Sequence, residues 1–391
     1  MDFGRYSILI IAFECHYSHV DRFIKYLKQV NPLVAITLFA DDHAITDGIR
    51  NNVDEIIHKK RVSVPRGIKI GGLSKFLNKI ILFRQIRDLS REKRFDIVNI
   101  HFTQYYMCFV MDCLHRMSEQ VILTPWGSDV LRVNSKFKKF LLKQTYRKSD
   151  KVTVGPHGMV GRVINKEFGV DEKRMVSLAW GSETIDFIND HLASVSKQDA
   201  KRKMGLEDRY LITCGYNAFP EQRHAEIITA LSGIKDRLPS NLVLVFPVTY
   251  GTESRRAAYI SVLKNLCETL GLPAVFYDHF LSVEDTFYLR RASDMFIHVQ
   301  TTDGGNSTIM EYLICGNKVI HGSWMHYKWL DYPPLFYFPV QEVEDLPNVV
   351  LDAFRSEVPI IPEEVLTIIR NRGWKRKMMN WDEFFRSCLS Q

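Results

Sequence analysis

The chain has 391 residues, enough for two domains of ordinary size. It is 46% hydrophobic and 25% charged, with 21 Gly and 14 Pro, which excludes a disordered chain, a collagen-like repeat and a disulfide scaffold. The net charge of +7 is unevenly spread: residues 1–183 carry 30 Lys/Arg against 19 Asp/Glu, and residues 184–391 carry 22 against 26. A basic front half and a mildly acidic back half predict two domains with different partners, the first facing nucleic acid, an anionic membrane or an acidic substrate. Seven scattered cysteines (Cys15, Cys108, Cys113, Cys214, Cys267, Cys315, Cys388) form no CxxC pair and fit a reducing compartment. The opening apolar segment is too short for a signal peptide, and no apolar run approaches the roughly 18 residues a membrane span requires. A cytoplasmic protein is expected, in contact with a membrane only peripherally.

In the first half, apolar runs at 7–12, 34–39, 96–100, 120–124 and 151–154 predict buried strands. Helical periodicity appears near 20–28, 73–91, 105–116, 135–147 and 158–167. The polar stretch 190–208 lacks strand character and reads as a connection. The pattern then restarts, with strands at 210–214, 241–246, 274–277, 295–299 and 318–321 and helices near 222–235, 254–269, 283–291 and 307–315. This alternation predicts an α/β protein of two doubly wound, Rossmann-like domains with parallel sheets. Ligands of such sheets sit beyond the carboxyl ends of the strands, so the cleft between the domains is where to look.

The most informative stretch is 295–320. A strand ending near Val299 runs into the loop Thr302-Asp303-Gly304-Gly305-Asn306, and a helix opens around Ser307. Backbone N–H groups of Gly305, Asn306, Ser307 and Thr308 at that opening suit a phosphate or diphosphate. Glu311 lies one turn beyond Ser307, so Ser307, Thr308 and Glu311 share a face. Asp303 and Glu311, eight positions apart, suit the hydroxyls of a sugar and of a ribose. Alternatively, Asn306 or Ser307 caps the helix and Glu311 is a solvated helix residue.

Asp303-x7-Glu311, followed by Cys315-Gly316-x-x-Val319-Ile320, resembles the E-x7-E motif of retaining GT-B glycosyltransferases, broadly glycosyltransferase family 4. Other segments are similar to that family's landmarks in the same order. They are Asp96-Ile-Val-Asn-Ile-His101, Thr124-Pro-Trp126-Gly127-Ser128-Asp129, Ser177-Leu-Ala-Trp-Gly181 continuing to Asp186, Gly215-Tyr-Asn217 continuing to Arg223, and Tyr288 to Asp294. Together they span roughly residues 95–325. The resemblance implies a GT-B enzyme: two domains facing across a cleft, with an acceptor-binding domain at 1–183, a donor-binding domain at 184–370, and a C-terminal helix at 371–391 packing back on the first.

In that reading the donor is a nucleotide-sugar. Glu311 takes the ribose, Asp303 contacts the donor sugar, Arg223 and Asn217 hold the diphosphate, and Tyr250 and His279 flank the nucleotide. An acceptor hydroxyl meets Asp129, His101 and His19, with Trp126 and Ser128 beside them. Departures from the family pattern are Asp303 for Glu, Asn217 for Arg, Trp126 for His, and Ala12 to His19 in place of a Gly-rich turn. No Asp-x-Asp triplet occurs, so a metal-independent hexosyltransferase without cofactor is expected. The pairing of Gly215-Tyr-Asn217 with Pro247 to Gly251 looks similar to transferases of lipid-linked aminodeoxy sugars, which implies bacterial-type surface polysaccharide synthesis, such as lipopolysaccharide or capsule. The "TDSGG" turn of GT-B sugar-nucleotide 2-epimerases is similar to Thr302 to Gly305, but that family's N-terminal motif is missing. A non-catalytic nucleotide-sugar-binding protein is the third reading.

Two basic amphipathic segments stand out in the front half. Leu73, Phe76, Leu77, Ile80 and Ile81 accompany Lys75, Lys79, Arg84, Arg87 and Arg91, while Phe137, Phe140, Leu141 and Leu142 accompany Lys136, Lys138, Lys139, Lys143, Arg147 and Lys148. Helices 73–91 and 135–148 are therefore expected to lie on an anionic membrane, on the inner face of the plasma membrane, near a glycan or polyprenyl-phosphate-linked acceptor. Otherwise each is a core helix with a solvated cationic face. Nucleic acid is not expected, because the cations accompany aliphatic stripes rather than stacking aromatics. Trp374, Met378, Trp381, Phe385 and Cys388 form a last apolar stripe at helical spacing.

Overall fold

A parallel sheet is covered by helices on both faces, so its strands are written as near-continuous Val, Ile and Leu runs. The computed structural model obeys that rule twice. It describes residues 4–13, 17–41, 45–61, 71–155, 159–251, 253–301 and 307–389. The chain divides into two units, Met1–Trp180 with Lys375–Gln391, and Gly181–Trp374.

Unit 1 holds strands β1 (Ser7–Ala12), β2 (Ala35–Ala40), β3 (Glu55–His58), β4 (Phe95–His101), β5 (Ser118–Thr124) and β6 (Lys151–Val152). They lie in the order β3-β2-β1-β4-β5-β6, all parallel. The register aligns Ala12 with Ala40 on one side and His101 on the other, so β1, β2 and β4 end level. Unit 2 holds β7 (Tyr210–Cys214), β8 (Leu242–Phe246), β9 (Ala274–Phe276), β10 (Met295–His298), β11 (Lys318–Gly322) and β12 (Phe338–Val340). Their order is β12-β11-β10-β7-β8-β9, again all parallel. Counted from its own first strand, each sheet is wound 3-2-1-4-5-6, with a switch point between its first and fourth strands.

Two strands were not expected from the sequence, β3 and β12, and both are sheet edges. Their residues are mostly half-buried, so they lack the continuous apolar run of a central strand. The segment 190–208 is not a bare connection. Lys197–Lys203 is a helix with a Ser196–Asp199 capping box, and Ala200 is fully buried. Its Lys201 Nζ donates to Asp294 Oδ2 at 2.7 Å and to the Arg209 carbonyl at 2.7 Å, which explains how so polar a segment docks. The 105–116 segment breaks at Val110 into a 3-10 turn, Tyr105–Phe109, and a helix, Met111–Met117. The six described cysteines are unpaired, and Cys15 lies outside the described residues.

The final helix, Trp374–Leu389, turns Met378, Trp381, Phe385 and Cys388 inward, all buried. Trp381 stands edge-on to Phe23 at 5.0 Å, and its Nε1 donates to the Ala179 carbonyl at 3.2 Å. Asp382, only 1% exposed, accepts from Tyr6 Oη and Asn31 Nδ2, each at 2.9 Å, and pairs with Arg386 Nε at 2.9 Å. Burial, reinforced by that carboxylate, pushes the Tyr6 phenol far above its usual pKa. Trp374 belongs to unit 2, where its N–H donates to Asp186 Oδ2 at 2.6 Å.

Removing the Asp382 carboxylate takes a shared acceptor from Tyr6, Asn31 and Arg386 at once. Asp382→Ala is expected to cost about 3 kcal/mol in urea unfolding followed by tryptophan fluorescence. A loss under about 0.5 kcal/mol would show that this carboxylate does not anchor the helix.

Candidate active site

In unit 1 the polar groups gather where β4 and β5 end. His101 closes β4, is 1% exposed, and bonds Asn99 Oδ1 through Nε2 at 2.6 Å. The Asn99 amide nitrogen donates to Thr124 Oγ1 at 2.8 Å, so its oxygen faces the imidazole and Nε2 carries the proton. Burial lowers the His101 pKa to about 3, leaving a neutral ring whose Nδ1 has no partner among the described residues. Phe23, Trp126 and Trp180 surround it with ring centroids 4.8, 6.3 and 5.7 Å away. His19, exposed at the start of helix Tyr17–Val30, stands 5.5 Å from Trp126 and 6.1 Å from Trp180. His19, His101 and Trp126 are thus brought together, and the residue the sequence reading missed is Trp180 at their centre.

Asp129 ties the two strand-end loops to each other. Its Oδ1 accepts from the Trp126 N–H at 2.9 Å and its Oδ2 from the Thr103 N–H at 2.8 Å. The turn that delivers it needs Gly127, at φ 99°, before the short helix Ser128–Leu131. Phe102, in the facing loop, holds a left-handed φ of 57°, rare for a bulky residue. Burial raises the Asp129 carboxyl to about 6, against the lowering pull of its backbone N–H donors. Ser128 and Asp129 both line a cavity of about 760 Å³.

In unit 2, Glu311 lies in helix Thr308–Ile314 and is 4% exposed, so it is not a solvated helix residue. Its Oε1 accepts from Ser307 Oγ at 2.7 Å and Ser182 Oγ at 3.1 Å, and its Oε2 from Arg290 Nε at 3.3 Å. Ser307 therefore serves Glu311 rather than capping the helix, and Thr308 is buried beside it. Asp303, Gly305 and Asn306 lie outside the described residues. Ser182 and Arg290 were missed because separations of 129 and 21 residues from Glu311 leave no local pattern.

Asn217 is buried after β7, its Oδ1 accepting from the Phe219 N–H at 2.9 Å in an Asx turn. Tyr250 is close by: its carbonyl accepts from the Ala218 N–H at 2.7 Å, and its ring stands 6.3 Å from Phe219. Arg223 adopts a left-handed φ of 58° ahead of helix His224–Ser232, and its guanidinium lies 5.3 Å from the Trp324 ring. Both line a cavity of about 440 Å³ with Glu226, Glu342 and Glu344, whose carboxylates make the surroundings acidic. Trp324 Nε1 donates to the Gln300 carbonyl at 2.7 Å, and the Thr301 N–H to the Glu221 carbonyl at 2.9 Å, so Arg223 is tied to the end of β10. His279 is well exposed, 3.8 Å from Asp278.

Asp129 and His101 respond to pH in opposite senses. The folded Asp129 carboxyl keeps its proton up to about 6, above its unfolded value near 4, so its contribution to stability is full below pH 4 and is lost as pH rises through 6. His101, depressed to about 3, contributes above its unfolded value near 6.5 and loses that contribution as pH falls towards 3. The stability of the native protein relative to Asp129→Asn should therefore fall by about 3 kcal/mol between pH 4 and 7. Urea titrations at a series of pH values measure this, and a flat difference would mean an ordinary carboxyl.

Residues 7–155 match a family model described as "Glycosyl transferase 4-like". No curated protein matches the chain. Among solved structures, a glycosyltransferase from Rickettsia africae ESF-5 is 14% identical, with all of both chains covered and a TM-score of 0.69. Anabaena Alr3699/HepE in complex with UDP is 14% identical, covering 97% of this chain and 100% of that one at a TM-score of 0.67. The same protein has been solved with UDP-glucose. The lipopolysaccharide outer core galactosyltransferase WaaB is 11% identical, covering 97% and 99% at a TM-score of 0.61. Two sheets of doubly wound order and these matches give the chain the GT-B fold of those glycosyltransferases, and its residues 7–155 resemble the glycosyltransferase 4-like family.

Proposed function

We propose that the chain transfers a sugar from a nucleotide-sugar to a glycan or lipid-linked acceptor in surface polysaccharide synthesis, with retention and without a metal ion. The observation that carries this reading is the buried carboxylate of Glu311, held by Ser182, Ser307 and Arg290 at the opening of the helix that follows β10. A carboxylate offers about four acceptor sites. Among the described residues three are occupied, and the fourth, on Oε2, suits a ribose hydroxyl. The UDP and UDP-glucose complexes of the Anabaena protein support a nucleotide-sugar as donor. The name of the galactosyltransferase WaaB supports a surface-polysaccharide setting. Arg223 and the N–H groups around Ser307 are assigned to the departing diphosphate, whose charge develops in the transition state. Unit 1 takes the acceptor. Asp129, poised near pH 6, and the neutral His101 are the groups assigned to orient its hydroxyl.

Membrane association belongs to the same reading. No helix among the described residues is long and apolar enough to cross a membrane. Helix Lys136–Lys148 nevertheless leaves Phe137 65% and Phe140 56% exposed among its cations, and Phe76 on helix Gly71–Glu92 is 60% exposed. The side chain of Leu73 lies outside the described set. Exposed aromatic rings among cations fit an anionic bilayer, with each cation near the surface worth about 1 kcal/mol.

Labelled nucleotide sugars incubated with detergent-solubilised lipid-phosphate acceptors in EDTA should give transfer. Free epimerised donor would favour a 2-epimerase, and binding without turnover a non-catalytic protein. Glu311→Gln should weaken UDP binding about tenfold by calorimetry, whereas Ser307→Ala, which spares the Arg290 pair, should lose less. Unchanged UDP affinity in Glu311→Gln would remove that residue from the donor site. In flotation assays the protein should rise with phosphatidylglycerol vesicles at low salt and Phe137→Ser/Phe140→Ser should not; recovery of the native protein wholly in the soluble fraction would overturn the membrane reading.

A further inference from the structure

The cavity beside Asp129 carries an unusual charge. Six cations line it: Lys59, Arg61, Lys75, Lys79, Arg132 and Lys138. The opposing carboxylates are few. Asp129 lies in the wall, and Asp41 pairs with Arg61 at 2.7 Å and Lys59 at 3.4 Å. Among the described residues, the side chains of Lys75 and Arg132 have no hydrogen-bond or ion-pair partner. The other two lysines are held by Tyr105: Lys79 Nζ donates to its hydroxyl at 2.6 Å and lies 4.8 Å from its ring, and Lys138 Nζ lies 5.1 Å from that ring. One tyrosine thus gathers cations from helix Gly71–Glu92 and helix Lys136–Lys148 towards one space.

We propose that this cavity binds a phosphate or diphosphate group of the acceptor, with Lys75, Lys79, Arg132 and Lys138 as its ligands. The inference rests on the transferase reading and deepens it, because it states which chemical group the acceptor must carry. Like charges converging on a concave wall repel one another, and a multiply charged oxyanion turns that repulsion into attraction. Arg132 contributes a planar fork that suits two oxygens of one phosphate, and the lysines contribute point charges around it. At about 760 Å³ the cavity is larger than a diphosphate and leaves room for an attached sugar. Asp129 at its wall and the left-handed Phe102 place it against the strand ends that hold His101. Along the sequence, the exposed Phe76 and Phe137 immediately adjoin Lys75 and Lys138, as would suit a lipid chain leaving the site. A lipid-linked diphosphate and a soluble sugar phosphate share this chemistry.

The full chain is titrated calorimetrically with inorganic diphosphate in saturating UDP, which occupies the donor unit. Native protein should bind it, and Lys75→Gln/Arg132→Gln should bind at least tenfold more weakly. Lys166→Gln/Lys173→Gln, which removes two exposed cations of unit 1 outside the cavity, should change affinity less than twofold. Matching unfolding midpoints show that all the variants are folded. Tighter binding of vesicles carrying farnesyl diphosphate than of glucose 1-phosphate identifies a lipid headgroup, and the reverse identifies a soluble sugar phosphate. The site is overturned if native protein binds no diphosphate, if the cavity variant binds it as well as native, or if both variants lose it equally. Failure of UDP to bind, with diphosphate still lost only in the cavity variant, would remove the donor reading and leave the anion site standing.

Discussion

A parallel sheet buried on both faces has no room for polar chemistry along its strands, and that constraint organises both units. β1 from Ile8 to Ala12 and β8 from Leu242 to Phe246 are apolar and buried throughout. The one amide placed inside β4, Asn99, is fully buried and spends its hydrogen bonds on Ile122, Thr124 and His101. The site groups described above follow the carboxyl ends of their strands. Asp129 in unit 1 and Glu311 in unit 2 are both placed this way. Each is a buried carboxylate held by one neighbour within four residues and by others that lie far from it in the chain.

The two carboxylates are held by different physics. Glu311 faces a guanidinium and two hydroxyls, all of them side-chain donors. Among the described residues Asp129 has only backbone N–H donors and no cation in contact, so desolvation prevails and its carboxyl is raised to about 6. The first arrangement suits recognition of a ligand that is always the same. The second suits a group that exchanges a proton near neutrality.

Much of this was legible in the sequence, for reasons that also mark where legibility ends. Central strands such as β1 and β7 announce themselves because burial on two faces demands an uninterrupted apolar run. The edge strands β3 and β12 are buried on fewer sides, and their mixed composition reads as loop. The helix Lys197–Lys203 reads as a connection in the sequence because its docking relies on an ion pair with Asp294, 93 residues away from Lys201, rather than on a stripe. At the site, Glu311 could be singled out by its place after a strand and a Gly-rich turn. Its partners Ser182 and Arg290 could not, since only the fold brings them near. The basic helices were visible as charge and periodicity, but their convergence on Tyr105 is a tertiary fact with no local signature.

The return of the last helix to unit 1 bears on how the protein is made. Phe23, Tyr6 and Asn31 leave the ribosome early, yet the residues that cover them, Trp381, Phe385 and Asp382, are synthesised only after all of unit 2. A nascent chain that folds as it emerges therefore leaves Phe23 and Tyr6 uncovered until the last helix has been made. All of unit 2 is thus synthesised before the first unit is covered, and the exposed apolar surface makes the nascent first unit a ready client for chaperones.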